Sequence, residues 1–189
     1  MNVTVDVDNR LLNEVREQLG EYSKKAPNAI ASALNRAITN VAANVSKETR
    51  KEYIIKSSDI KETLRKVRAS RSSMSGIVAS KGRPIPIDRF KISPKKVQPK
   101  RKKPIKIAVK KGSLRESLGA FVADINGIKV FKREGKKRLP INRIFGPSVP
   151  QMVGNEEVRA KINAEGLDTF NRYLDHEINR ILNRGQEAS

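Results

Sequence analysis

Apolar residues recur at helical spacing at both ends of this chain and alternate with polar residues through its middle. Leu11, Leu12, Val15 and Leu19 form one face of a short amphipathic helix over residues 9–22, which Gly20 helps to end. Pro27 suits the first turn of the next helix, read as the longest, over residues 27–53. Its Ile30, Leu34, Ile38, Val41 and Val45 keep one stripe, with Ala33, Ala37 and Ala42 beside it. Small residues admit a close neighbour, so this helix is expected to be the packing spine. Ser57 or Ser58 is placed to cap a third, short helix running through Ile60 and Leu64. Val158, Ile162, Phe170, Leu174, Ile178 and Ile181 mark a C-terminal helix over residues 155–183, with a weak point at Gly166.

Between these ends the period falls to two. VTVDV near the N-terminus fits a short strand or a disordered end. Residues 66–70 and 76–80 read as strands around a polar turn at 71–75. Ile85, Ile87, Phe90 and Ile92 alternate in an extended stretch, and Ile105, Ile107 and Val109 alternate with lysines. Phe121 to Ile125 and Ile128 to Arg133 flank Asn126-Gly127, a dipeptide that tolerates both positive φ angles of a two-residue hairpin turn. Ser113-Leu114-Arg115-Glu116 has capping-box spacing, but the strand after it favours a loop. The pattern predicts an α+β fold: long N-terminal helices and a C-terminal helix on an antiparallel β-sheet. We divide the chain into an N-terminal helical region (1–64), an antiparallel β region (65–150) and the C-terminal helix (151–189), as one domain with extensions.

Charge changes the picture more through its distribution than through its total of +20. Residues 65–111 hold 17 Lys and Arg against one acid, Asp88, an excess of 16. Pro94, Pro99 and Pro104 punctuate the densest part, so an extended or mobile loop is expected over 94–104. Its Lys95, Lys96, Lys100, Arg101, Lys102 and Lys103 are candidates to contact double-stranded DNA or an acidic protein partner. Phe90 is the one aromatic in the basic quarter, whereas single-strand readers interleave aromatics with their cations.

Candidate chemistry is sparse. There is no cysteine and one histidine, so no conventional zinc site is expected, and no cofactor motif is present. His176 stands between Asp175 and Glu177, but neighbours on a helix diverge and do not converge on one metal ion. No apolar run approaches a membrane span and no signal peptide is apparent, so a soluble protein made in the cytoplasm is expected. No nucleophile or phosphate-cradling motif supports an enzyme.

Residues 119–150 carry a resemblance. Gly119-Ala120-Phe121, Val130-Phe131 followed by Arg133, Arg138-Leu139-Pro140-Ile141 and Phe145-Gly146-Pro147-Ser148-Val149-Pro150 resemble the prophage minor tail protein Z family, the tail-completion proteins of long-tailed phages. Pro140, Pro147 and Pro150 remove backbone donors, which argues against a central strand or a helix there. The resemblance implies a structural virion protein, made in the host bacterial cytoplasm, that completes the tail at its head-proximal end as a roughly sixfold ring. Its partners would be further copies of itself, tail terminator, tail-tube or head-tail connector proteins, and DNA. Arg133, Arg138, Leu139, Pro140, Phe145, Gly146 and Pro147 are the candidate subunit-interface residues, with Arg143 a further cation able to grip a phosphate or carboxylate. Phe131 and Phe145 read as core or interface packing rather than base-stacking platforms. The alternative is a freestanding, sequence-nonspecific nucleic-acid-binding protein, which needs only the charge and leaves the 145–150 pattern unexplained.

Overall fold

A computed structural model describes residues 2–186 of the 189. Strand β1 (Asn2–Asp6) leads into helix α1 (Asn9–Leu19), whose first turn is capped by the Asp8 carboxylate accepting from the Leu11 N–H at 2.9 Å. The helix ends at Gly20, as its sequence suggests, and a 3₁₀ segment (Gly20–Lys25) carries the chain into α2 (Ala26–Glu52). Short α3 (Ser57–Lys61) follows, then β2 (Leu64–Val67) and β3 (Ser75–Ser80). A 3₁₀ turn (Ile87–Arg89), β4 (Lys91–Ser93), β5 (Ile105–Ala108) and β6 (Arg115–Ser117) come next. The hairpin β7 (Ala120–Asp124) and β8 (Ile128–Arg133) precedes β9 (Ile141–Arg143), α4 (Val149–Val153) and α5 (Glu156–Gln186).

The α+β class is as read from the sequence, but the strands form three small antiparallel sheets rather than one. Their orders are β1-β3-β2, β4-β5-β6 and β7-β8-β9. Each sheet sends apolar residues into one shared core: Val78 from the first, Ile92 and Ile105 from the second, Val122 and Val130 from the third.

Helices α2 and α5 pack antiparallel and join two hydrophobic clusters. The first half of α2, with Ile30, Ala33 and Leu34, meets α1 and the Phe170, Leu174 and Ile178 side of α5. The second half, with Ile38, Val41 and Val45, meets the sheets, α4 and the Val158 and Ile162 side of α5. The stripe of α2 is therefore buried over its whole length, as a packing spine requires. Gly166 is the contact that lets α5 lie close: a Cβ there would stand 2.6 Å from Val41 Cγ2. What reads as a weak point is thus a packing site, and α5 runs through it unbroken.

Several other expectations are corrected. Helix α5, with 31 residues, is longer than α2, with 27. Helix α3 begins at Ser57 with no side-chain cap and stops at Lys61, because Leu64 already pairs with Ser80 in the sheet. Strand β2 accordingly starts at Leu64, two residues ahead of the expected 66–70, and overlaps it only at 66–67. Ile87 belongs to a tight turn that lets both Ile87 and Phe90 reach the core, not to a continuous extended run. In the hairpin Asp124 pairs with Ile128, leaving a three-residue loop in which Asn126 has φ 52° and Gly127 φ 99°. The Asp124 carboxylate accepts from the Gly127 N–H at 3.1 Å and closes it.

The proline-bracketed segment holds more regular structure than its composition suggests. Arg138 to Pro140 is irregular, β9 is an edge strand, and Pro150 sits in the first turn of α4, where a missing donor costs nothing. That helix carries a capping box: Ser148 Oγ accepts from the Gln151 N–H at 3.4 Å, while Gln151 Oε1 accepts from the Ser148 N–H at 2.8 Å. The similar spacing at Ser113 leads instead through a loop into β6.

Candidate interaction surface

The third sheet places the motif residues. Because side chains alternate across a strand, the register puts Phe121, Phe131 and Arg143 in one row across β7, β8 and β9, with Arg133 beside Ile141 in the next. Phe121 and Phe131 lie with ring centroids 6.2 Å apart, and the Arg133 guanidinium stands 4.7 Å from the Phe121 ring centre. The opposite face, with Val122 and Val130, is buried in the core.

Segment 144–147 is fixed to the turn at 85–90 by main-chain bonds. Ile87 N donates to Ile144 O at 3.0 Å, and Gly146 N donates to Ile85 O at 2.7 Å. Gly146 must be glycine-small, since a Cβ would come within 2.7 Å of Phe90 Cε2. Adjacent residues of the same turn reach in two directions: Arg89 pairs with buried Asp59 on α3, and Asp88 pairs with Arg143 on β9. The segment is held by its two main-chain bonds and, through the adjoining Arg143, by the pair with Asp88, yet Phe145 remains 52% exposed; Leu139, in the irregular stretch before β9, is 65% exposed. Arg143 also stands 5.8 Å from the centre of the Phe145 ring.

Loop 94–104, which joins β4 to β5, comes to the same region. Arg101 holds it in shape: its Nε donates to Lys103 O at 2.9 Å, and its two Nη groups donate to Gln98 Oε1 at 3.2 Å and Pro104 O at 3.1 Å. Between this loop and β7 is a cleft of about 420 Å³ whose walls include Lys96, Val97, Arg101, Lys103, Phe121 and Arg133. A second hollow of about 340 Å³, lined by Ile125, Arg138, Leu139 and Ile141, shares Phe121, Ala123 and Arg133 with it. The structure thus brings part of each candidate set to the β7–β8 hairpin: Lys96, Arg101 and Lys103 from the loop, and Arg133, Arg138 and Leu139 from the motif, while Phe145 and Gly146 lie against the 85–90 turn. Lys95, Lys100 and Lys102 do not line the cleft.

Elsewhere the chemistry is sparse. His176 and Asp175 are exposed, while Glu177 turns to accept from Ser32 Oγ at 3.1 Å. Among the described residues no group of three His, Cys, Asp or Glu could hold a metal ion, and no helix is long and apolar enough to cross a membrane.

Two exposed apolar side chains, Phe145 and Leu139, thus stand beside arginines, Arg143 at the first and Arg138 at the second. The model of the family described as prophage minor tail protein Z (GPZ) matches residues 11–185, and the chain belongs to that family. It is a phage-tail structural component. No curated protein and no solved structure matches it.

Proposed function

We propose that this protein completes the tail at its head-proximal end by closing into a cyclic, sixfold ring that meets tail terminator, tail-tube or connector proteins. The observation that carries this reading is the rigid presentation of Phe145: main-chain bonds on both sides of it and the Arg143–Asp88 pair hold its segment, while about half of the residue stays exposed. A side chain held so firmly and left uncovered suits an interface core, where aromatics paired with arginine contribute most. The helical spine, the sheets and α5 act in this reading as one domain, with Arg133, Arg138, Leu139, Pro140 and Pro147 around the contact. The work is assembly, without catalysis.

Lys95, Lys100 and Lys102 stay exposed on the basic loop and suit phosphates of DNA passing the ring. A freestanding nucleic-acid binder would use the same lysines, but it gives no role to the anchored Phe145.

Native mass spectrometry of the purified chain, alone and mixed with tail-tube and terminator proteins, tests the ring. A closed six-subunit species is expected in at least one mixture, and monomer in every mixture would sink it.

A further inference from the structure

Strand β7 has an unused edge, and its backbone orientation follows from bonds on the far side of β8. Ile144 N donates to Val130 O at 3.0 Å, and Glu134 N donates to Pro140 O, so Val130, Lys132 and Glu134 turn their main-chain groups toward β9 and its flanks. By alternation Lys129 and Phe131 turn theirs toward Ala123 and Phe121 of β7. The N–H and C=O of Ala120, Val122 and Asp124 therefore face outward, on the edge that no strand among the described residues covers. Four consecutive residues of that edge, Ala120 to Ala123, line the cleft beneath the basic loop. Every ionisable side chain of the cleft and its adjoining hollow is a cation: Lys96, Arg101, Lys103, Arg133 and Arg138.

We propose that β7 receives an extended, acidic strand of another tail protein, which adds to the sheet edge inside this cleft. Main-chain bonds to Val122 and its neighbours would supply affinity. Apolar side chains would pack on Phe121 and Val97, and alternate carboxylates would meet Lys96, Lys103 and Arg133. Five residues of β7 span about 17 Å, the reach of a five-residue strand. DNA fits less well, because its phosphates have no use for an apolar wall or a strand edge. A second copy fits less well too, because most acids of this chain, such as Glu17, Glu156, Glu165 and Asp168, lie on helices. The tail reading above enters only in naming the source of the strand; the binding is a property of the isolated chain and can fail or succeed without it.

The test uses a fluorescein-labelled peptide of alternating Val and Glu, followed by anisotropy with the full-length protein. Saturable binding is expected. It should weaken about tenfold or more in Lys96→Glu/Lys103→Glu and separately in Arg138→Glu, all three exposed positions whose variants should melt like the parent. The same peptide N-methylated at alternate residues should not bind, nor should one with Lys in place of Glu. Absence of saturation by about 1 mM, or equal binding of the N-methylated peptide, would overturn the proposal. So would displacement of the peptide by a roughly 20-bp duplex that binds more tightly, which would assign the cleft to nucleic acid.

Discussion

The Arg143 guanidinium grips the Asp88 carboxylate across 55 residues of sequence, with Nη2 3.0 Å from both oxygens and Nε 3.3 Å from Oδ1. Both side chains are mostly covered, so water screens the pair less than it would a surface bridge. The one acid of the basic quarter thus serves inside the protein, latching β9 to the turn at 87–89. Arg143→Ala should lower stability by about 1–3 kcal/mol, measured by denaturant unfolding, with Asp88→Asn giving a similar loss. A double variant no worse than either single one would show that the pair acts as a unit; no loss in the single variants would show that the latch is idle.

Phe145 and Gly146 should separate assembly from folding. Phe145→Ala removes a half-exposed ring and should cost under about 1 kcal/mol, yet leave the protein unable to join tails. Gly146→Ala drives a methyl against Phe90 and should cost about 1–3 kcal/mol. Thermal melts of both variants, beside an incorporation assay, decide it: unfolding of Phe145→Ala would mean that the ring supports the core and not the interface.

Helix α5 should tolerate nothing larger than glycine at 166. Gly166→Val places carbon atoms where Val41 already lies and should destabilise by about 1–3 kcal/mol, although an open helix position would gain from losing glycine. A raised melting temperature for Gly166→Ala would contradict the close approach of α2 and α5.

Much of this architecture is legible in the sequence because strong periodicity survives tertiary context. The Ile30 to Val45 stripe is buried as its spacing demands, and the Asn126-Gly127 hairpin stands within a residue of where its turn dipeptide puts it. The division into three sheets is not legible. Strands as short as β4, β6 and β9 have three residues each, too few for a period, and although each pairs with its neighbour in the chain, no local signal marks where one sheet ends and the next begins. Ser148 and Gln151 do carry a capping signal, obscured by the prolines around it. The Arg143 pair has no local signal at all, and neither does the meeting of loop 94–104 with β7, because both arise from the way the sheets sit together.

The basic loop is expected to tolerate loss of charge. Replacing Lys95, Lys100 and Lys102 with Gln should leave the melt unchanged, since all three are exposed and Arg101 keeps the loop's internal bonds. Duplex DNA affinity should fall, and the slope of log affinity against log salt should become shallower by about 0.9 for each phosphate that is no longer neutralised. An unchanged slope would assign these lysines to protein partners.

Catalysis offers a direct challenge. Purified protein incubated with supercoiled plasmid and Mg²⁺ or Mn²⁺ should retard the DNA and leave its strands intact. Nicking that chelation abolishes and a single carboxylate substitution removes would establish an enzyme.

Immunogold electron microscopy of phage particles, with antibody against this chain, shows where in the particle the protein sits. Gold is expected at the head-proximal end of the tail, on intact particles and on tails separated from heads. Particles without label, or label confined to the distal tip, would contradict that placement.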